Sequence, residues 1–111
     1  MKKSAKHAVV FVTAPEIKTA RRLAQAALKA RLAACANLGS NLESHYWWQG
    51  KLETSSECLI IFKTRTACLA RLEKLIVEKH PYDTPEFVVL PLQAGNKRYL
   101  EWIDESVRPS T

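Results

Sequence analysis

"AACANLGSNLESHYWWQGKLETSSECLIIFKT", residues 33 to 64, decides the fold. The segments 33 to 48 and 51 to 64 flank Gln49-Gly50, so they read as two long antiparallel strands joined by a tight hairpin, with Gly50 supplying a positive φ. Gly39-Ser40-Asn41 interrupts the first arm and predicts a bulge or bend there.

Upstream, "HAVVFVTA" (7 to 14) is a short run whose alternate residues are apolar on both sides, the pattern of a central, doubly covered strand. The period then changes. In "PEIKTARRLAQAALKARLA", Ile17, Ala20, Leu23 or Ala24, Ala27 and Leu28 recur at threes and fours, while Lys18, Arg21, Arg22, Gln25 and Lys29 face away. Thr13 with Glu16 offers a capping box, and Pro15 suits the first turn.

Downstream of the hairpin, residues 67 to 79 predict a second helix with Cys68, Leu69, Leu72, Leu75 and Ile76 on one stripe. It stops at His80, because Pro81 disfavours helical geometry there. "EFVVLPL" (86 to 92) is a fourth strand, whose Pro91 predicts a strand end or an edge position. A last helix over 96 to 107, capped by Asn96, is expected to bury Tyr99, Trp102, Ile103 and Val107. The order is an α+β, ferredoxin-like β-α-β-β-α-β sandwich with a long hairpin and an extra C-terminal helix.

Both faces of two strands are apolar: Val9 and Phe11 alternate with Val10 and Val12, and Cys58, Ile60 and Phe62 with Leu59 and Ile61. Three adjacent aromatics, Tyr46, Trp47 and Trp48, stand at the hairpin tip. That much apolar area predicts a second subunit as its cover, hence a homo-oligomer.

A chain of 111 residues, 47% hydrophobic, makes one domain with a modest core. Residues 1 to 6 read as a flexible basic tail, 7 to 108 as a single domain and 109 to 111 as a second tail. No apolar run approaches the roughly 20 residues of a membrane helix, so no membrane partner is expected. After "MKKSAK" the apolar run soon meets Pro15 and Glu16, unlike a secretory signal. Cys35, Cys58 and Cys68 are odd in number, lack C-x-x-C spacing and sit within apolar patterns, which fits free buried thiols and a cytoplasmic location.

The net charge of +6 weakens as a nucleic-acid signal once Lys2, Lys3 and Lys6 are assigned to the tail. The same element order occurs in RNA-binding domains, but the third strand here reads "ECLIIFKT", without the basic and aromatic pattern that stacks bases. Nucleic acid is therefore not an expected partner. No glycine-rich phosphate loop and no Ser-His-Asp signature is present, and no two histidines stand two to four residues apart. The reading is non-enzymatic.

"TAPE" (13 to 16), "RLAACANL" (31 to 38), Ser44-x-Tyr46-x-Trp48-x-Gly50-x-Leu52 followed by Glu57, "FKT" (62 to 64) and "HPYDTPEFVVLP" (80 to 91) together resemble the CutA divalent-cation tolerance family. The likeness covers about residues 8 to 107. It implies a tight homotrimer whose hairpins reach across to neighbours, a fold related to the PII signalling proteins, and no accepted enzymatic activity. It also implies association with copper and other divalent cations, with no cofactor required.

The family's bacterial copper site uses a cysteine directly before "TAP" and two histidines directly before "PY". Here those places hold Val12, Lys79 and His80, so His80 is the one surviving metal candidate. As a helix-terminal histidine, His80 reads first as a structural residue, donating to the last free carbonyls of the helix. Asp83 reads as a turn residue. The resemblance also implies a pocket between subunits, drawn from Tyr46, Trp48, Glu57, Lys63, Lys79, His80, Tyr82 and Glu86. Two functions fit: an ion-responsive trimer, or a PII-like regulatory module binding a small anion or metabolite at Lys63, Arg65 or Lys79.

Overall fold

A computed structural model describes residues 1 to 108; the tail assigned to 109 to 111 lies outside the described residues. The elements are β1 (Lys2–Lys3), β2 (His7–Ala14), α1 (Ile17–Lys29), β3 (Cys35–Trp48) and β4 (Lys51–Arg65). A short 3-10 turn (Thr66–Cys68) leads into α2 (Leu69–Lys79), followed by β5 (Val88–Pro91), β6 (Ala94–Gly95) and α3 (Lys97–Ser106). The main sheet is antiparallel, in the order β3-β4-β2-β5. Lys2 and Lys3, in the stretch assigned to a tail, pair with Gly95 and Ala94, and the Ser4 N–H donates to the Gln93 carbonyl at 2.8 Å.

Register sorts the side chains. Val10, Val12 and Ala14 of β2 stand on the same face as Phe62, Ile60 and Cys58 of β4, and all six are buried with Leu23 and Ala27 of α1 and Leu72 and Ile76 of α2. The alanines of α1 let the helix backbone approach the sheet closely. Thr64 is the polar exception in this layer; its hydroxyl donates to the Leu32 carbonyl at 2.7 Å and satisfies both groups. On the other face Val9 and Phe11 of β2, Leu59 and Ile61 of β4, and Val88 and Leu90 of β5 are only half-buried or exposed. No part of the described chain covers that face completely.

The bulge expected at Gly39-Ser40-Asn41 is present, and it has a consequence for the site. Gly39 pairs with Leu59 and Leu42 with Glu57, so Ser40 and Asn41 together oppose the single residue Cys58. Asn41 takes the left-handed conformation, φ 62°. The extra residue reverses the alternation, since a shift of one swaps the faces of a strand. Beyond the bulge Leu42, Tyr46 and Trp48 join Glu57 and Leu59 on the half-open face, and the Tyr46 and Ser55 hydroxyls meet at 3.1 Å. At the tip Gln49 and Gly50 both have positive φ, 51° and 78°, a two-residue turn matched to strand twist.

Two local expectations are corrected. The N-cap of α1 is Glu16 in extended geometry with no side-chain cap, and Thr13 lies within β2, too early to begin a capping box. In α3 the buried stripe is Leu100, Ile103 and Val107, whereas Tyr99 and Trp102 are 41% and 42% exposed. Those two rings pack on each other at 5.3 Å along a neighbouring face. The cap at Asn96 is as expected, its side chain accepting the Tyr99 N–H. Among the described residues, no helix is long and apolar enough to cross a membrane.

Candidate functional site

The turn from α2 to β5 builds the floor of the site. His80 leaves the helix in extended geometry, φ −78° and ψ 138°, as a residue before proline must. The Tyr82 N–H donates to His80 Nδ1 at 3.1 Å, so that nitrogen is unprotonated. The ring proton therefore sits on Nε2 and donates to the Thr13 carbonyl at 2.7 Å. His80 is 8% exposed, with the Tyr82 ring at 4.7 Å. Nε2 thus ties the end of α2 to the end of β2, while Nδ1 closes the turn onto Tyr82.

Above this floor the Tyr82 hydroxyl donates to Glu57 Oε2 at 2.8 Å. Burial, together with this bond and the adjacent carboxylate charge, pushes the Tyr82 pKa far up, so the phenol keeps its proton and remains a donor. Glu57 is 8% exposed. Glu86, from the far end of the same turn, has its pKa raised by burial first and by the Glu57 charge second. Among the described residues Glu86 makes no hydrogen bond or ion pair, and Glu57 Oε1 accepts nothing. These groups face a cleft of about 870 Å³ walled by Tyr46, Trp47 and Trp48 from the hairpin and by Tyr82 from the turn. The chain has 17 Lys and Arg residues, yet none lines the cleft, whereas Glu57, Asp83 and Glu86 all do.

Of the residues expected to share a pocket, Tyr46, Trp48, Glu57, Tyr82 and Glu86 come together within one chain. His80 lies beneath them as support. Lys79 is exposed and does not line the cleft, and Lys63 is elsewhere on the sheet, its ammonium donating to the Asn37 side chain at 2.7 Å. Asp83, read from the sequence as a turn residue, does line the cleft; its place beside Tyr82 was the available signal.

The residues at the family's copper positions do not fit that ion. Val12 is fully buried and has no donor atom, Lys79 carries a proton and a repelling charge, and His80 has no free nitrogen. No group of three His, Cys, Asp or Glu residues suited to a metal occurs among the described residues.

A Ser-His-Asp chain, not expected from the sequence, does occur: Ser4 Oγ meets His7 Nδ1, and His7 Nε2 lies 2.8 Å from Asp104 Oδ1. None of the three lines the cleft. His7 is buried and Asp104 also faces Arg65 Nε at 3.3 Å, so the arrangement joins β2, β4 and α3 as a structural tie.

Residues 8 to 106 match the family model described as CutA1 divalent ion tolerance protein. The chain is 44% identical to the chloroplastic protein CutA 1 of Oryza sativa over 92% of its own length and 58% of that protein. It is 43% identical to the divalent-cation tolerance protein CutA of Pectobacterium atrosepticum over 90% of this chain and 91% of that one. It thus spans under two thirds of the plant relative and nearly all of the bacterial one. The crystal structure of rice CutA1 superposes with a TM-score of 0.92 at 42% identity, covering 96% of this chain and 98% of that one. The Archaeoglobus fulgidus structure, named as periplasmic, gives 0.89 at 37% identity over 92% and 99% of the two chains, so relatives are named for more than one compartment. With matches this extensive in sequence and in fold, the chain belongs to the CutA1 divalent ion tolerance family.

Proposed function

We propose that this chain is the subunit of a non-enzymatic, cytoplasmic homotrimer serving divalent-cation tolerance, with a ferredoxin-like, PII-related sandwich in each subunit. The observation that carries the assembly is the second sheet face, where Val9, Phe11, Leu59, Ile61, Val88 and Leu90 form an apolar surface that three helices leave open. Burying such a surface between copies is the economical solution for a domain of this size. The molecule is 43 Å along its longest axis, and hairpin arms of 14 and 15 residues are long enough to lie across a neighbour. A cytoplasmic setting suits the three free cysteines. Trp48→Ala is expected to weaken assembly by about 2 kcal/mol per interface, the scale of an interfacial aromatic anchor. Sedimentation at sub-micromolar concentration tests this, and a wild-type monomer would remove the reading.

Tolerance in this reading does not run through copper held at the end of α2. Metal-stripped protein dialysed against Cu(II) and Zn(II) is expected to retain no ion dependent on His80. Micromolar binding near one ion per subunit, abolished by His80→Ala in protein that still assembles, would contradict it. The anion-binding alternative draws no support from the cleft, which lacks Lys and Arg.

A further inference from the structure

The positive charge of the chain is concentrated on one helix. Of its 17 Lys and Arg residues, three lie in residues 1 to 6 and five, Lys18, Arg21, Arg22, Lys29 and Arg31, fall within 17 to 31, a stretch without an Asp or Glu. The nine that remain are outnumbered by the 11 acidic residues. Lys18, Arg21, Arg22 and Lys29 all stand exposed on α1, opposite its buried stripe of Ala20, Leu23, Ala24 and Ala27. Among the described residues none of the four makes a hydrogen bond or an ion pair. This surface is the outside of the helix layer, on the far side of the core from the half-open sheet face.

Folding gives no reason for that arrangement. Lys18 stands three and four residues before Arg21 and Arg22, so like charges are neighbours on the helix surface. Lys18 also sits in the first turn of α1, which holds no acidic residue and where the helix dipole opposes positive charge. A solvated helix face ordinarily mixes the signs. A second, independent feature lies at the other end. There α1 closes in a Schellman turn, with the Leu32 N–H donating to the Ala27 carbonyl and the Arg31 N–H to the Leu28 carbonyl, both at 3.0 Å. The left-handed position of that turn, φ 59°, is one that glycine fills without strain, and it holds Arg31. From it Arg31 Nη1 donates to the Ser106 carbonyl at 3.2 Å. Arg71 Nη1 donates to the Arg108 carbonyl at 3.2 Å and Arg108 Nη1 to the Glu105 carbonyl at 3.1 Å, so two more guanidinium groups continue the positive surface past the end of α1.

What this surface fits is set by what it lacks. The row Lys18, Arg22, Gln25, Lys29 contains no aromatic or large apolar side chain. It therefore offers neither the anchor of a protein interface, nor the insertion of a membrane-surface helix, nor a ring on which a base could stack. From Lys18 to Lys29 the row runs about 16 Å along the helix axis. Each strand of a duplex presents a phosphate about every 3.4 Å of axis, so this length faces about five phosphates. We propose that the outer face of α1, from Lys18 to Arg31, binds the phosphate backbone of double-stranded nucleic acid without reading its sequence. The guanidinium groups of Arg21, Arg22 and Arg31 suit paired contacts with phosphate oxygens. The sheet takes no part, so the lack of base-stacking residues in "ECLIIFKT" does not bear on it. The inference goes beyond the tolerance reading and stands without it.

The test uses the intact assembled protein and a fluorescein-labelled DNA duplex of about 20 base pairs, read by anisotropy between about 50 and 200 mM KCl. Saturable binding is expected, equal for a second duplex of unrelated sequence, with log K falling against log salt at a slope of about −4. The triple variant Lys18→Gln, Arg22→Gln, Lys29→Gln removes charges that have no partner in the fold. It should lose about tenfold or more at the lowest salt and make the slope shallower by about three. Arg31→Gly relaxes the left-handed turn while removing one charge, so it should weaken binding several-fold in protein that still assembles. The tail variant Lys2→Gln, Lys3→Gln, Lys6→Gln makes the same change in net charge as the helix variant and should leave the slope unaltered. Circular dichroism and assembly mass establish that each variant is folded. No saturation at the lowest salt overturns the proposal, as does a helix variant that binds like wild type or a tail variant that loses as much. Vesicles of equimolar phosphatidylcholine and phosphatidylserine are run beside the duplex. Tighter binding to them, lost in the helix variant, would make this face a membrane contact and overturn the nucleic-acid assignment.

Discussion

His80 and Glu86 stand six residues apart at the two ends of "HPYDTPE", and they have opposite relations to their surroundings. His80 is buried with a partner on each nitrogen, one from Tyr82 and one from Thr13. Glu86 is partly exposed, pushed up in pKa by burial and by Glu57, and has no hydrogen bond or ion pair among the described residues. Both are residue types that bind metals, but only the second has unused capacity. The contrast divides the turn into a tied end and a free one. The histidine that looks like a ligand in the sequence has both nitrogens in hydrogen bonds, while the acid further along has no partner among the described residues.

The largest effect that would sharpen this contrast is expected from His80→Ala. It leaves the Thr13 carbonyl and the Tyr82 N–H without partners and opens a gap under Tyr82, so a loss of about 3 kcal/mol is expected. Urea denaturation at fixed protein concentration measures it; a loss below about 1 kcal/mol would mean that the two bonds matter little. Tyr82→Phe is intermediate. It removes the donor to Glu57 and should cost about 1.5 kcal/mol, the scale of a hydrogen bond to a charged acceptor. An unchanged midpoint would place that bond outside the stability of the fold.

Glu86→Gln should have the smallest effect, with the opposite sign. The folded-state pKa of Glu86 is raised, so the folded chain holds this proton to higher pH than the unfolded chain. Its contribution to stability is complete at acid pH, below the unfolded value, and is lost as pH rises through the folded value. At neutral pH the glutamine variant should therefore match or exceed wild type by about 0.5 kcal/mol at most, since solvent screens a partly exposed group. The two should converge on acidification. A glutamine variant clearly less stable at neutral pH would show that Glu86 has a stabilising partner after all.

Most of the fold was legible because its signals are local. The β2 span His7–Ala14 follows from one apolar run, and the hairpin from Gln49-Gly50 between two long segments. Local signals also misled. In α3 the large Tyr99 and Trp102 outweighed Leu100 in the reading, although Leu100, Ile103 and Val107 are the positions that share one stripe. The candidate site was half legible: Tyr46, Trp48, Glu57, Tyr82 and Glu86 were identified together. The exclusion of Lys63 and Lys79 depends on which way strand and helix face, and the bond from Tyr82 to Glu57 spans 25 residues. The bulge was visible at Gly39-Ser40-Asn41, but its reversal of the faces became apparent only once the β4 partners were known.

Nitrogen-15 NMR of the His80 imidazole in the assembled protein distinguishes a supporting histidine from a ligand. The predicted result is a neutral ring with the proton on Nε2, slow to exchange, and unchanged when Zn(II) or Cu(I) is added. A metal-induced shift of Nδ1, with the Tyr82 amide released from it, would make His80 a ligand and return the metal chemistry to the end of the helix.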